Sequence, residues 1–250
     1  MRIDRLLPVL LCVFCGTAAA QPYPAKPVRV VMGFPPGTTV DVLMRPIAQR
    51  LTETLGQPLV LDNRPGATGI IAIETVVRAP ADGYTLLATP GSALTSSPHL
   101  HSKIAFDTLR DLKPVIQLGA FSYVLIAHPG VPAKSVPELI ALARAKPGVL
   151  TYGSTGLGSG FHLAGELFCA MAKVQMLHVP YRGGGTAAIT DLVGGRVDLM
   201  WDSLAVVKPQ LQAGRLHAVG VTGPRRAAAL PNVATIAESG LPGYEIVGWH

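Results

Sequence analysis

The chain has 250 residues, three cysteines, and 21 Lys and Arg against 15 Asp and Glu, for a formal charge of +6. That length allows one large domain or two modest ones. The basic residues are scattered, with Arg225-Arg226 the only adjacent pair, so the composition excludes a nucleic-acid partner.

Residues 1–20 read as an export signal: Arg2 and Arg5 precede the apolar run 6–14, and Ala18 and Ala20 form a small-residue cleavage site. The expected product begins at Gln21 in the periplasm. The run is too short to span a bilayer, and no other apolar stretch is long enough. Leu11 before Cys12 and Phe14 before Cys15 lack the small residue that lipid attachment needs. Losing Arg2, Arg5 and Asp4 lowers the formal charge from +6 to +5, a surplus that mildly favours anionic ligands. Cys169 is then the sole cysteine, so no internal disulfide forms.

From residue 28 to about 222, short Val-, Leu- and Ile-rich runs alternate with helical patterns, which predicts an α/β fold with a mostly parallel sheet. Strands are expected at 28–32, 59–61, 84–88, 115–118, 123–127, 150–152, 176–179, 197–201 and 218–221. A first helix carries Leu43, Ile47, Leu51 and Leu55 as one stripe and stops at Gly56, with Pro46 expected to kink it or delay its start. A second opens with Ser135 and Glu138 at capping-box spacing and runs through Leu139, Leu142 and Ala143. A third follows Ser159, with Leu163, Leu167, Phe168 and Met171 on one face. Two successive strands at 115–118 and 123–127, with no helix between them, mark a lobe boundary. Residues 21–120 and 222–250 then form one lobe and 121–221 the other, joined by two crossings as in a hinge.

Three stretches carry chemistry. Phe34-Pro35-Pro36-Gly37-Thr38-Thr39-Val40-Asp41 is a strand-to-helix turn: Gly37 admits close backbone approach, Thr38 and Thr39 add hydroxyls, and the helix start offers unpaired N–H groups to an anion. Thr39 equally reads as a plain helix cap. Tyr152-Gly153-Ser154-Thr155-Gly156-Leu157-Gly158-Ser159-Gly160-Phe161-His162 repeats the device, and loops at the carboxyl ends of strands converge on one cleft. His162 is a candidate donor or a surface histidine. In Val197-Asp198-Leu199-Met200-Trp201-Asp202, even spacing puts both aspartates on one face, and Asp202 at the strand end either accepts from a ligand or caps the next helix.

Catalytic and cofactor patterns are missing. Gly156, Gly158 and Gly160 do not fit G-x-G-x-x-G, and no G-x-x-x-x-G-K-[ST] or G-x-S-x-G stretch occurs. Cys169 lies among Leu167, Phe168 and Met171, as a buried inert thiol would. His99 and His101 lack a third metal ligand. No cofactor, metal or catalytic residue is expected; an enzyme using His162 and Asp202 as acid and base is the competing reading.

Taken together, Asn63-Arg64-Pro65-Gly66-Ala67, Asp82-Gly83-Tyr84, the 152–168 stretch, Val179-Pro180-Tyr181-Arg182-Gly183, Gly194-Gly195-Arg196-Val197-Asp198, Leu230-Pro231-Asn232-Val233, Ala237-Glu238-Ser239-Gly240-Leu241-Pro242-Gly243-Tyr244 and Trp249 resemble the substrate-binding receptors of tripartite tricarboxylate transporters, the Bordetella uptake gene group. The resemblance implies a two-lobed, type II periplasmic-binding-protein fold with a ligand cleft between the lobes. It implies that a small organic carboxylate is gripped by Pro36, Gly37, Thr38, Thr39 and Asp41 from one loop and by Ser154, Thr155, Gly156, Gly158 and Ser159 from the other, beside the candidate donor His162. Thr89, Ser92 and Asp202 would line the same cleft. Implied partners are large and small membrane permease subunits, or a membrane sensor kinase, served by a monomer. Family ligands include di- and tricarboxylates, amino acids and aromatic acids. Thr38 and Val40 stand where the family usually has a glycine and a hydroxyl residue, which shifts the expected ligand towards a less polar acid. Family members also continue beyond Trp249-His250 with a further turn and long helices, so a fragment or a truncated chain is expected.

Overall fold

The computed structural model describes residues 22–101, 103–181 and 184–250. The export signal, together with Arg182 and Gly183, lies outside the described residues.

The first lobe is a three-stranded parallel sheet in the order β2-β1-β3, with β1 Val28–Met32, β2 Leu59–Asn63 and β3 Thr85–Ala88. Helix α1 (Thr39–Leu55) joins the first two strands and α2 (Ile70–Val77) leads to the third. Three short helices follow: α3 Gly91–Thr95, α4 Ser97–Leu100 and α5 Thr108–Asp111. The central strand reads as an apolar run because helices cover both of its faces. Val30 and Met32 pack with Val40 and Met44, while Ile70 and Ile73 pack with Ala93 and Phe106 in a separate cluster.

Gly56 ends α1 as expected, at φ 68°, donating its N–H to Thr52 O at 3.0 Å. Pro46 lies inside the helix without delaying its start. The buried face is Val40, Met44 and Ala48, not the expected leucine stripe; Leu51 and Leu55 are 38 and 39% exposed. At about 100° per residue Leu51 and Leu55 point to the same side as Val40, Met44 and Ala48; they are exposed because the last two turns of the helix carry no buried residue, so the stripe outruns the core.

The second lobe is a six-stranded sheet: β4 Ala120–Ala127, β5 Thr151–Ser154, β6 Leu177–Pro180, β7 Leu199–Ser203 and β8 His217–Val221 in the order β6-β5-β7-β4-β8, with β9 Val247–Trp249 also on β4. Between them run α6 Val136–Ala145, α7 Gly160–Ala172, α8 Gly185–Val193 and α9 Leu204–Gln212. Strand β5 is parallel to β6 and β7, whereas β4 is antiparallel to β7 and β8. Tyr152, Phe168, Trp201 and Tyr244 are fully buried in its core, where the Tyr244 hydroxyl donates to Ala164 O at 2.8 Å.

The expected strand at 115–118 does not form. Val115 and Ile116 are 80 and 76% exposed, and Leu118 meets the chain end by donating its N–H to His250 O at 2.7 Å. Strand propensity expresses fit to a pleated, half-buried surface, and these apolar residues have no such neighbour. The crossing is made by β4 itself: Ala120 to Ser122 pair with β9, and Tyr123 to Ala127 pair with β7 and β8. After β8 the chain stays on the second lobe, with Ile236, Leu241 and Tyr244 in the same cluster as Tyr152 and Phe168, until Ile246 donates its N–H to Thr222 O at 3.1 Å.

Candidate functional site

The N-cap of α1 is Thr38, in extended conformation, and its side chain makes no cap bond. Its hydroxyl instead donates to Pro35 O at 2.8 Å, and the Thr39 hydroxyl lies 2.8 Å from Ser203 Oγ on the second lobe. Neither threonine therefore caps, and the first-turn amides of α1 have no intrahelical acceptor. The N-cap of α7 is Ser159, whose hydroxyl accepts from His162 N at 3.2 Å.

These two helix starts face one cavity of about 190 Å³, lined in part by Thr38, Thr39, Ser92, Thr155 and Ser159. Its wall also includes the rings of Phe34, Phe121, Tyr123, Phe161 and Trp249, together with the polar side chains of Thr95, Ser96 and His250. A second bond across the lobes runs from the Thr68 hydroxyl to Leu157 O at 3.2 Å, made by a residue held at φ 54°. Left-handed backbone at a non-glycine residue costs energy and persists where the surroundings enforce it.

Other expected residues stand behind this surface. Pro36 and Gly37 are exposed. Asp41 is buried and accepts from Gly37 N at 2.9 Å and from Arg45 Nε at 2.8 Å. Burial pushes its carboxyl up, but the Arg45 guanidinium and the Gly37 amide outweigh this and hold it below the usual carboxylate range. Asp41 thus stiffens the first loop. Ser154 Oγ is 2.7 Å from His178 Nε2 and accepts from Gly156 N at 3.1 Å. Gly156 and Gly158 adopt positive φ, and a Cβ at Gly156 would lie 3.1 Å from the Thr68 hydroxyl. Thr89 is buried beside the site but does not line the cavity.

His162 turns away from the cavity: its Nδ1 accepts from Gly158 N at 3.2 Å and its ring lies 4.2 Å from that of His178. Burial lowers the His162 pKa, and burial together with His162 brings His178 down to about 4. Asp202 is 2% exposed, and its Oδ1 accepts from Ser203 N at 2.6 Å. Burial pushes its carboxyl up to about 7. The N-cap position of the following helix is Ser203, whose side chain makes no cap bond, not Asp202, and neither His162 nor Asp202 lines the cavity. Asp198, at the other end of that strand, accepts from Thr151 N at 2.7 Å and plays no part in the cleft.

Sequence reasoning missed the aromatic wall and Ser203. Phe121 and Tyr123 do carry a signal, since a spacing of two puts them on one strand face. Nothing local tells which face meets the cleft. Among the described residues no group of three metal-ligating side chains occurs, and no helix is long and apolar enough to cross a membrane.

Residues 43–250 match the tripartite tricarboxylate transporter family receptor profile. Protein BugT of Bordetella pertussis is 36% identical over 256 residues, covering 100% of this chain and 78% of BugT. A structure of R. palustris Rpa4515 with adipate superposes with a TM-score of 0.88 at 39% identity, covering 91% of this chain and 76% of that one. MatC from Rhodopseudomonas palustris with bound malate gives 0.84 at 30% identity, covering 91% and 77%. The periplasmic binding protein BugD likewise matches at a TM-score of 0.85 with 31% identity, covering 91% and 76%. With its two α/β lobes and a cavity between them, the chain belongs to the tripartite tricarboxylate transporter receptor family.

Proposed function

We propose that this protein is a periplasmic receptor that captures a small carboxylate and presents it, cleft closed, to membrane permease subunits. One observation carries the reading: two helix amino ends, one from each lobe, meet with their hydroxyls around a single small cavity. Amides at a helix start carry partial positive charge and suit an anion that needs no metal or covalent step. Thr38, Thr39, Ser92, Thr155 and Ser159 are the direct contacts. Gly37, Asp41, Ser154, Gly156, Gly158 and His162 hold the loops in shape. Pro36 stiffens the first loop, and Thr89 and Asp202 support the cavity wall from behind. The protein acts as an exported monomer, delivered by residues 1–20, and performs no catalysis. The second lobe runs from about residue 121 to 246, because the chain meets the first lobe again only where Trp249 of β9 packs against Gly91.

The test is a thermal-shift screen of the mature chain against mono-, di- and tricarboxylates. A ligand at a hundred times its Kd stabilises the folded form by about 2.7 kcal/mol, or roughly 5–10 °C for a chain of this size. If no carboxylate raises Tm, the receptor reading fails.

A further inference from the structure

We infer that the aromatic wall of the cavity is a specificity pocket for the apolar, ring-shaped body of a monocarboxylic acid, oriented by Tyr123. This rests on the carboxylate-receptor reading above. Four rings from three elements build the pocket: Phe121 and Tyr123 on β4, Phe161 on α7 and Trp249 on β9. Tyr123 packs edge-on against Phe161, with centroids 4.9 Å apart and planes at 73°, and against Phe121 at 5.9 Å and 66°.

The rings are held by backbone that leaves room for nothing else. A Cβ at Gly160 would fall 2.2 Å from the Tyr123 hydroxyl, one at Gly248 2.5 Å from its ring, and one at Gly91 2.0 Å from the Trp249 indole. Three glycines on three separate elements therefore give way to the aromatic wall. Such a wall accepts a flat ring in offset or edge-to-face contact, which adds to the simple burial of apolar area. The Tyr123 hydroxyl beside Gly160 sits at the start of α7, where the carboxylate is held. Burial raises its pKa, so it stays a neutral donor at any physiological pH.

A second carboxylate on the ligand would be pressed against these rings. Among the described residues lining the cavity there is no Lys, Arg, Asp or Glu, and burial brings the lining His250 down to about 4, so a second carboxylate would be desolvated there without a charged partner. The pocket thereby discriminates against dicarboxylates such as those in the adipate and malate complexes of the relatives.

The experiment is calorimetric titration of the mature protein with benzoate, phenylacetate, adipate and malate. At least one of the two ring acids is expected to bind tenfold or more tightly than either dicarboxylate. Tyr123→Phe, which keeps the ring, is expected to weaken the ring acid about three- to tenfold with Tm unchanged. Val247→Lys, on a half-exposed wall position, is expected to narrow the gap between ring acid and adipate. A dicarboxylate binding as tightly as both ring acids, or Tyr123→Phe leaving ring-acid affinity unchanged, overturns this inference and leaves the receptor reading intact. Binding of none of the four acids also overturns this inference, and the wider carboxylate screen then decides the receptor reading.

Discussion

Replacing Asp202 with Asn is predicted to change how stability depends on pH, in a direction set by the carboxyl's burial. Asp202 is 2% exposed at the end of β7, and its pKa is pushed from the ordinary 3.8 to about 7. The folded protein therefore keeps a proton that the unfolded chain gives up between about pH 4 and pH 7. Over that range the unfolded state binds fewer protons, so the contribution of this group to stability falls as pH rises and is fully lost above about pH 7. The shift is equivalent to about 4 kcal/mol, an upper bound for so deeply buried a group. His178 and His250, both brought down to about 4 by burial, act in the opposite sense: their contribution is present above the ordinary histidine value and is lost as pH falls. The difference between variant and wild type isolates Asp202, because both histidines remain in each protein. Asn preserves the carbonyl that accepts from Ser203 N and removes the titration. Urea unfolding at pH 4.5 and pH 8 is the assay. Asp202→Asn is expected to gain on wild type by about 1–4 kcal/mol between the two pH values. An equal pH dependence in the two proteins would refute the argument that burial without a counter-charge governs this carboxyl.

Three further outcomes follow from individual contacts. Ser203→Ala removes the hydroxyl paired with Thr39 across the cleft, and the loss of about 1 kcal/mol is expected to weaken any ligand of the closed form roughly fivefold in calorimetry, with little change in Tm. Gly165→Ala places a methyl 2.4 Å from the buried Tyr152 ring, so overpacking of about 1–3 kcal/mol outweighs a helix-propensity gain of about 1 kcal/mol. A rise in its urea midpoint would contradict the packing. Burial and then Glu166 push the Cys169 thiol up to about 11 from an ordinary 9, so it is expected to react with an aromatic disulfide reagent about 100-fold more slowly than a free thiol, and rapid labelling of the native protein would argue against that burial.

Much of this architecture was readable along the chain. Val28–Met32 matches its expected strand to the residue, and Leu59–Asn63, Thr85–Ala88 and His217–Val221 differ from theirs only at the ends. These strands carry enough β-branched and aliphatic residues to declare themselves. The two glycine loops were visible for a different reason: a turn that starts a helix near a ligand needs glycine and hydroxyl residues whatever surrounds it. The 115–118 segment has the same strand composition and fails because no neighbour pairs with it. The leucine series of α1 was misread because spacing gives the periodicity of a stripe but not which neighbour covers it.

The amino-acid order by itself determined the class of fold, the caps at Gly56 and Ser135, and the two helix starts that follow glycine-rich loops, all of which depend on residues a few positions apart. Only the tertiary structure decided that Thr39 reaches Ser203, that His162 and Asp202 turn away from the cavity, and that Tyr123 stands between Gly160 and Gly248. Those facts join residues from separate elements and lobes. They arise from how helices and sheets stack, which a local pattern does not encode.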